Sequence, residues 1–263
     1  MAHGTETSGF VPSDKLKLSP FGANQVSMYA GSQPSIVRAA LRELPSLQDY
    51  TFIDLGCGKG RPILVAAEFP FKEAIGVEFD PDLAECGRRN AANYRQRFTE
   101  GCPLRVETAD AAAFVFPPGD LVVFLYNPFG PELIQRVVDN IEKTLAGGPR
   151  QLFVVYYNPV HSHCFDASPR LKRCFAATFP YATDEIGFGP DDTDAVVIWQ
   201  AGDTYPVKPG ADAEGRRDEA EQARGAGFRL RLLSPAATLI GVNKRRGLES
   251  FLDLLRSDLW RHV

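Results

Sequence analysis

The sequence predicts an α/β chain built on a doubly wound, mostly parallel sheet, and three observations carry that expectation. Apolar runs of strand length alternate with segments of helical periodicity from about residue 35 to residue 200. A glycine-rich turn, Gly56-Cys57-Gly58-Lys59-Gly60, joins the first of these runs to an apolar helix. At 263 residues and 44% hydrophobic composition, the chain can bury one large α/β core plus additions.

The elements follow in chain order. Ile36, Val37, Ala40, Leu41 and Leu44 recur at helical spacing and predict a cover helix over 35–44. Tyr50 to Ile53 reads as a buried strand ending in Asp54, followed by the glycine turn and a helix over 62–69. Ala74 to Val77 is a second strand, ending in Glu78, with a helix from Pro81 to about Arg97 behind it. Leu104 to Glu107, Leu121 to Tyr126 and Leu152 to Tyr157 supply three more strands, the last two separated by a helix over 131–145. Ala195 to Trp199 is the final strand, and the segment 179–186 is its expected antiparallel partner.

After Gln200 the composition changes. Residues 201–226 are rich in Asp, Glu, Arg, Gly, Pro and Ala and read as a linker. Residues 227–263 read as an extension with a short strand and an amphipathic helix over 247–260, either docked on its own domain or serving as a homodimer contact or lid. Residues 1–34 are expected to form an amino-terminal segment and lid ahead of a domain over 35–200.

Ligands of open α/β sheets bind outside the carboxyl ends of the strands, which directs attention to the glycine turn. Gly56, Gly58 and Gly60 remove side chains where the loop must turn sharply and let backbone amides come close to a ligand. Glu78 stands where an acidic residue meets a ribose diol. The spacing also separates cofactors: a dinucleotide fingerprint beginning at Gly56 needs glycine at position 61, where Arg61 stands.

Asp54-Leu55-Gly56-Cys57-Gly58-Lys59-Gly60 followed by Gly76-Val77-Glu78-Phe79-Asp80 resembles the first two motifs of the class I S-adenosylmethionine (SAM)-dependent methyltransferases, over roughly residues 25–200. The resemblance implies a Rossmann-like sheet of seven strands with one antiparallel strand, and SAM as cofactor. It implies that the loop of Asp54, Gly56, Cys57, Gly58 and Gly60 packs on the methionine part, and that Glu78, with Phe79 beside it, holds the ribose. Asp110 with Ala111, after the third strand, takes the adenine position. Tyr29-Ala30-Gly31-Ser32-Gln33-Pro34 resembles the segment before the SAM motif in some protein-lysine methyltransferases, where a tyrosine closes over the methionine end. Together with Gly-Lys-Gly-Arg, it places the chain nearest a lysine-methyltransferase-like branch. Helix capping by Ser32 or Ser35 explains the same small residues.

Two strand ends carry one tripeptide, Tyr126-Asn127-Pro128 and Tyr157-Asn158-Pro159. Asn127-Pro128-Phe129-Gly130 is similar to the Asn/Asp-Pro-Pro-Tyr/Phe motif of amino-directed methyltransferases. That similarity implies that Asn127 and Pro128 orient an acceptor amino group, that Asn127 also borders the cofactor, and that Phe129 packs on the substrate. Phe129 stands in the second proline's place, so a strand end that only turns the chain and lines the cofactor pocket is an equal reading. Methyl transfer asks mainly for in-line geometry, with a base only where the acceptor must lose a proton. His161 is then a candidate base or an ordinary loop residue.

The acceptor expected from these motifs is a protein or small molecule with an amino nitrogen. A small-metabolite O-methyltransferase and a non-catalytic SAM-binding subunit are the alternatives, and Arg61 disfavours a nicotinamide dehydrogenase. The net charge of −4 gives no general attraction to nucleic acid, which is an unlikely partner on that ground. No run reaches the roughly 18 apolar residues of a membrane span, and the polar start lacks a signal-peptide core, so a cytoplasmic protein is expected. Five cysteines without a CxxC pair point to reduced thiols, and no metal site is expected.

Overall fold

The computed structural model describes residues 4–12, 15–16, 29–148, 150–186 and 191–202. The expected linker, apart from its first two residues, and the whole expected extension with its helix and dimer contact lie outside the described residues.

Seven strands form the central sheet: β3 (Tyr50–Leu55), β4 (Glu73–Glu78), β5 (Leu104–Thr108), β6 (Asp120–Tyr126), β7 (Leu152–Tyr157), β8 (Lys172–Pro180) and β9 (Thr193–Ala201). Their order is β5-β4-β3-β6-β7-β9-β8, with only β9 running against its neighbours. The Rossmann-like seven-stranded sheet is thus present. Chain order reverses between β3 and β6, and such a switch point opens a crevice at the carboxyl ends of its two strands. Every residue of β3 and of β7 is buried, because both faces of a parallel sheet are covered.

The covering helices split by face. α1 (Pro34–Arg42), α2 (Arg61–Ala66) and α3 (Pro81–Arg97) pack on one side, where Ile36, Ile63 and Ala84 meet Phe52, Phe124 and Phe153. α4 (Pro131–Ala146) and α5 (Ser162–Asp166) cover the other. Leu133, Ile134, Val137, Val138 and Ile141 form the buried stripe of α4, and burying each such side chain is worth about 1.5–3 kcal/mol. α3 starts where the sequence places it, because Pro81 fits its first turn and the Asp80 carboxylate accepts from the amides of Asp82 at 2.9 Å and Leu83 at 3.0 Å.

Three details differ from the sequence reading. The antiparallel partner of β9 is β8, ending at Pro180, whereas Thr183–Glu185 is a short 3-10 turn. β8 begins with Lys172 and Arg173 at the sheet edge, and that polar start hides its strand pattern. Neither Ser32 nor Ser35 caps α1. Gln33 holds the cap position without a side-chain bond, and the Glu185 carboxylate accepts instead from the Ser35 amide at 3.0 Å and from its hydroxyl. Finally, β1 (Phe10–Val11) pairs antiparallel with β2 (Tyr29–Ala30), so two parts of the amino-terminal segment are joined to each other.

Candidate functional site

The glycine turn sits at the switch point, at the carboxyl end of β3. Gly56, Gly58 and Gly60 have φ of 78°, 52° and 82°, a left-handed path that glycine adopts without the penalty other residues incur. The amides of Gly56 and Cys57 donate to the Val77 carbonyl at 2.9 and 3.1 Å. The Gly58 amide donates to Glu78 Oε2 at 2.7 Å and the Gly60 amide to the Cys57 carbonyl at 2.8 Å. These four donors are thus turned into the protein, contrary to the expectation that loop amides reach a ligand. Pro62 removes one more donor from the first turn of α2. Missing side chains here serve close packing: a Cβ on Gly58 would stand 2.3 Å from the Tyr29 ring, and one on Gly56 2.7 Å from Pro128 Cβ.

Around the turn stand three carboxyl groups. Asp54 is 1% exposed, and its Oδ2 is buried without a hydrogen-bond partner. Burial, and secondarily the charge of Glu78, push its pKa well above the usual carboxylate range. Glu78 accepts from Gly58 through Oε2 and from the Asp80 amide through Oε1 at 2.8 Å, while burial raises its pKa against those bonds. A carboxylate has about four acceptor sites, so roughly two remain for other donors. Phe79, next to it, is 37% exposed and offers a ring face. Asp110 accepts from the Ala112 amide through Oδ1 at 2.9 Å, closing the turn after β5, and its other oxygen is not used in that bond. Ala111 is buried below it. Cys57 is packed against Gly76, and burial raises its thiol pKa well above the ordinary value, which keeps it inert.

The residues after the turn hold the amino-terminal segment. Arg61 donates to the Thr7 carbonyl at 2.7 Å, the Ser32 carbonyl at 2.8 Å and the Thr7 hydroxyl at 3.1 Å. Lys59 Nζ donates to Glu6 Oε1 at 2.8 Å and the Ser8 carbonyl at 2.9 Å. The Tyr29 hydroxyl donates to the Thr7 carbonyl at 2.8 Å while its ring lies on Gly58. Asn90 of α3 completes the clamp, accepting from the Glu6 amide at 2.7 Å and donating to the Glu6 carbonyl at 2.9 Å. Sequence reading used Arg61 to exclude a dinucleotide and, within Gly-Lys-Gly-Arg, as part of a family resemblance. Its role as latch needed the tertiary structure.

On the other side of the switch point lie the two Asn-Pro strand ends. Asn127 and Asn158 have φ of 37° and 49°, the two non-glycine residues with positive φ among those described. Asparagine tolerates that region better than most residues, but at a cost that marks both ends as special. Pro128 and Phe129 pack against Gly56, and Phe129 is 8% exposed within the α4 face of the core. Pro128 and Phe129 therefore adjoin the glycine turn, with Asn127 immediately before them, while Phe129 presents little surface. His161 precedes α5 beside His163, with ring centroids 6.1 Å apart, and burial followed by the His163 charge lowers its pKa. Tyr126 and Tyr157 stack with centroids 4.2 Å apart. The Tyr157 hydroxyl lies 2.6 Å from Gln33 Oε1 and 2.8 Å from Asp194 Oδ2, which also accepts from the Tyr181 hydroxyl at 2.5 Å. This cluster was not legible in the sequence, because its members are spread over positions 33 to 194.

Two surface depressions lie elsewhere, one against Phe69, Tyr94 and Phe98 and one against Gly4, Cys86 and Asn90. Among the described residues no group of His, Cys, Asp or Glu has the arrangement of a metal site, and no helix is long and apolar enough to cross a membrane.

No family model matches the chain, and no curated protein matches it in sequence. Solved structures resemble it in chain path. TrmN from Thermus thermophilus is 18% identical with a TM-score of 0.46, over 64% of this chain and 48% of TrmN, so the chain spans about half of that protein. The 23S rRNA methyltransferase ErmE is 18% identical with a TM-score of 0.44, over 84% of this chain and 87% of its own. A SAM-dependent methyltransferase from Leishmania major is 13% identical with a TM-score of 0.47, over 63% and 70%. At these identities the likeness is one of fold, and it gives no support to a lysine-methyltransferase-like branch.

Proposed function

We propose that this chain is a SAM-dependent methyltransferase that transfers methyl to an amino nitrogen. One observation carries the cofactor: the glycine turn has spent its amides at Gly56, Cys57, Gly58 and Gly60 on the protein, yet keeps two carboxylates around it with acceptor capacity. A pyrophosphate needs those amides and is repelled by Asp54 and Glu78. A ligand with a ribose diol and an ammonium group needs the opposite. The two remaining acceptor sites of Glu78 suit the ribose hydroxyls, and the unpartnered Asp54 suits a cationic group. Phe79 and Asp110 provide a ring face and an acceptor for adenine, and Tyr29, held on Gly58, closes the methionine end.

SAM supplies an electrophilic methyl group when bound; the protein's task is placement. Asn127, one residue before the Pro128 that packs on Gly56, accepts hydrogen bonds from the acceptor amino group together with the Pro128 carbonyl in this reading, directing its lone pair toward the methyl group. His161, whose pKa burial lowers, is the candidate for proton uptake from an acceptor that requires it. Of the branches within the family, the lysine-methyltransferase-like one rests on Tyr29 to Pro34 and on the amino-nitrogen reading of Asn127.

Calorimetry with SAM and with NADH tests the cofactor, and tighter binding of NADH overturns it. Incubation with a panel of lysine peptides, small amines, small hydroxylated metabolites and tRNA, read by mass spectrometry for one added methyl and its attachment atom, tests the acceptor. Methyl found on oxygen or carbon, with none on nitrogen, rejects the amino-nitrogen reading.

A further inference from the structure

The Asp194 cluster plays no part in cofactor binding as derived above. Asp194 lies near the start of β9, which runs antiparallel to β7, so it stands at the carboxyl edge beside Tyr157. Tyr126 and Tyr157 are register partners and therefore project to the same face. Tyr126 immediately precedes Asn127, and its hydroxyl lies within the electrostatic reach of both Asp194 and Arg61. The cluster thus adjoins the strand end assigned to the acceptor and the latch that borders the cofactor turn.

The carboxylate of Asp194 is oriented but not neutralised. Its Oδ2 accepts from the Tyr181 hydroxyl at 2.5 Å and lies 2.8 Å from the Tyr157 hydroxyl, whose single proton it shares with Gln33 Oε1 at 2.6 Å. No Lys, Arg or His among the described residues forms an ion pair with it. Asp194 and Tyr181 are both partly exposed, so the group is reachable, while burial and the neighbouring Asp191 raise the carboxyl pKa. The Tyr157 and Tyr181 hydroxyls fix its direction at the expense of no charge, and the Tyr126 ring packs on that of Tyr157 behind them. An oriented carboxylate without a cationic partner attracts an alkylammonium by charge and by charge-assisted hydrogen bonding. Asp184, Asp191 and Asp192 in the adjoining loops reinforce the negative sign and oppose a phosphate backbone.

We propose that Asp194, held by Tyr157 and Tyr181, is a specificity-determining residue that recognises the acceptor as a cationic primary amine of the lysine side-chain type. The inference rests on the amino-nitrogen reading of Asn127 and names the class of amine. Its contribution is to binding of the ammonium form at the mouth of the site.

The test titrates the full chain, labelled with 13C-tyrosine and saturated with S-adenosylhomocysteine, with n-butylammonium and with its neutral isostere 1-butanol, following the tyrosine signals by NMR. Butylammonium is expected to shift them saturably and 1-butanol is not. Asp194→Asn keeps an acceptor for both hydroxyls but loses the charge, and should weaken butylammonium binding by about tenfold, the scale of one charged hydrogen bond. Tyr181→Phe keeps the charge, frees the carboxylate to turn, and should weaken it by about threefold. Equal affinity in both variants, equal binding of 1-butanol, or no saturable shift in the parent overturns the proposal. Calorimetry of S-adenosylhomocysteine on the same samples separates the outcomes: failure of that ligand to bind sinks the cofactor reading, whereas intact binding with an insensitive amine titration sinks only the role of Asp194.

Discussion

Replacing Asp54 by Asn should stabilise the ligand-free protein. Asp54 is 1% exposed, its Oδ2 has no partner, and the Glu78 charge that acts on it is of the same sign. A buried polar group left without a hydrogen bond costs about 1–3 kcal/mol, and a charge makes that worse. Asn keeps the shape and removes the charge, so a gain of about 1–2 kcal/mol is expected at pH 8. The sign of the pH dependence follows from the raised folded-state pKa. Between the ordinary carboxylate value and that raised value the native state binds more protons than the unfolded state. Stability of the parent therefore falls as pH rises through this window, and the penalty is complete above the folded pKa. The advantage of Asp54→Asn should thus be small near pH 4 and grow toward pH 8. Glu78 has a raised pKa as well and acts in the same direction, so some slope persists until Glu78→Gln is added. Urea unfolding followed by far-UV circular dichroism at several pH values, with and without SAM, measures all of this. The ligand should stabilise the parent more than the variant, because its gain depends on affinity. A variant no more stable than the parent at pH 8, with an unchanged m-value, would refute the claim that Asp54 is an uncompensated charge kept for a ligand.

Other expectations concern the turn, the latch and the strand end. Gly58→Ala places a methyl 2.3 Å from the Tyr29 ring at φ 52°, and should cost about 1–3 kcal/mol, whereas Gly119→Ala, at φ 94° with open space around it, meets no such clash and should cost less; comparison of the two urea midpoints isolates the clash. Arg61→Ala removes bonds to the Thr7 and Ser32 carbonyls, so stability should fall by about 1.5–3 kcal/mol, and hydrogen exchange should accelerate selectively at the amides of residues 5–12. Asn127→Ala should leave SAM affinity largely intact and slow single-turnover methylation by roughly 100-fold, while a rate within about twofold of the parent rejects the role. Asn127→Gly, which accepts the φ of 37° more readily, separates this loss from backbone strain: the same slowing is expected at higher stability.

The sequence by itself determined the parallel half of the sheet and the place of the glycine turn. Apolar runs at Tyr50 to Leu55 and Leu152 to Tyr157 have one physical use, burial between two helical layers, and Gly56, Gly58 and Gly60 mark positive φ because few other residues adopt it cheaply. The positions of Asp54, Glu78 and Asp110 at or just past the carboxyl ends of β3, β4 and β5 were legible, because local order fixes where a strand ends. Tertiary structure alone decided what depends on contacts between distant segments. It turned the glycine amides inward, since the Val77 and Glu78 acceptors come from another strand. It moved the last antiparallel partner to Lys172–Pro180, since an edge strand is held by pairing with β9 more than by an apolar pattern. Arg61 became a latch for a segment more than fifty positions away, and Asp194 joined Gln33, Tyr157 and Tyr181 around one carboxylate. Hydrogen bonds between side chains leave no periodic trace in a sequence, because they require proximity and direction, which only the folded chain supplies.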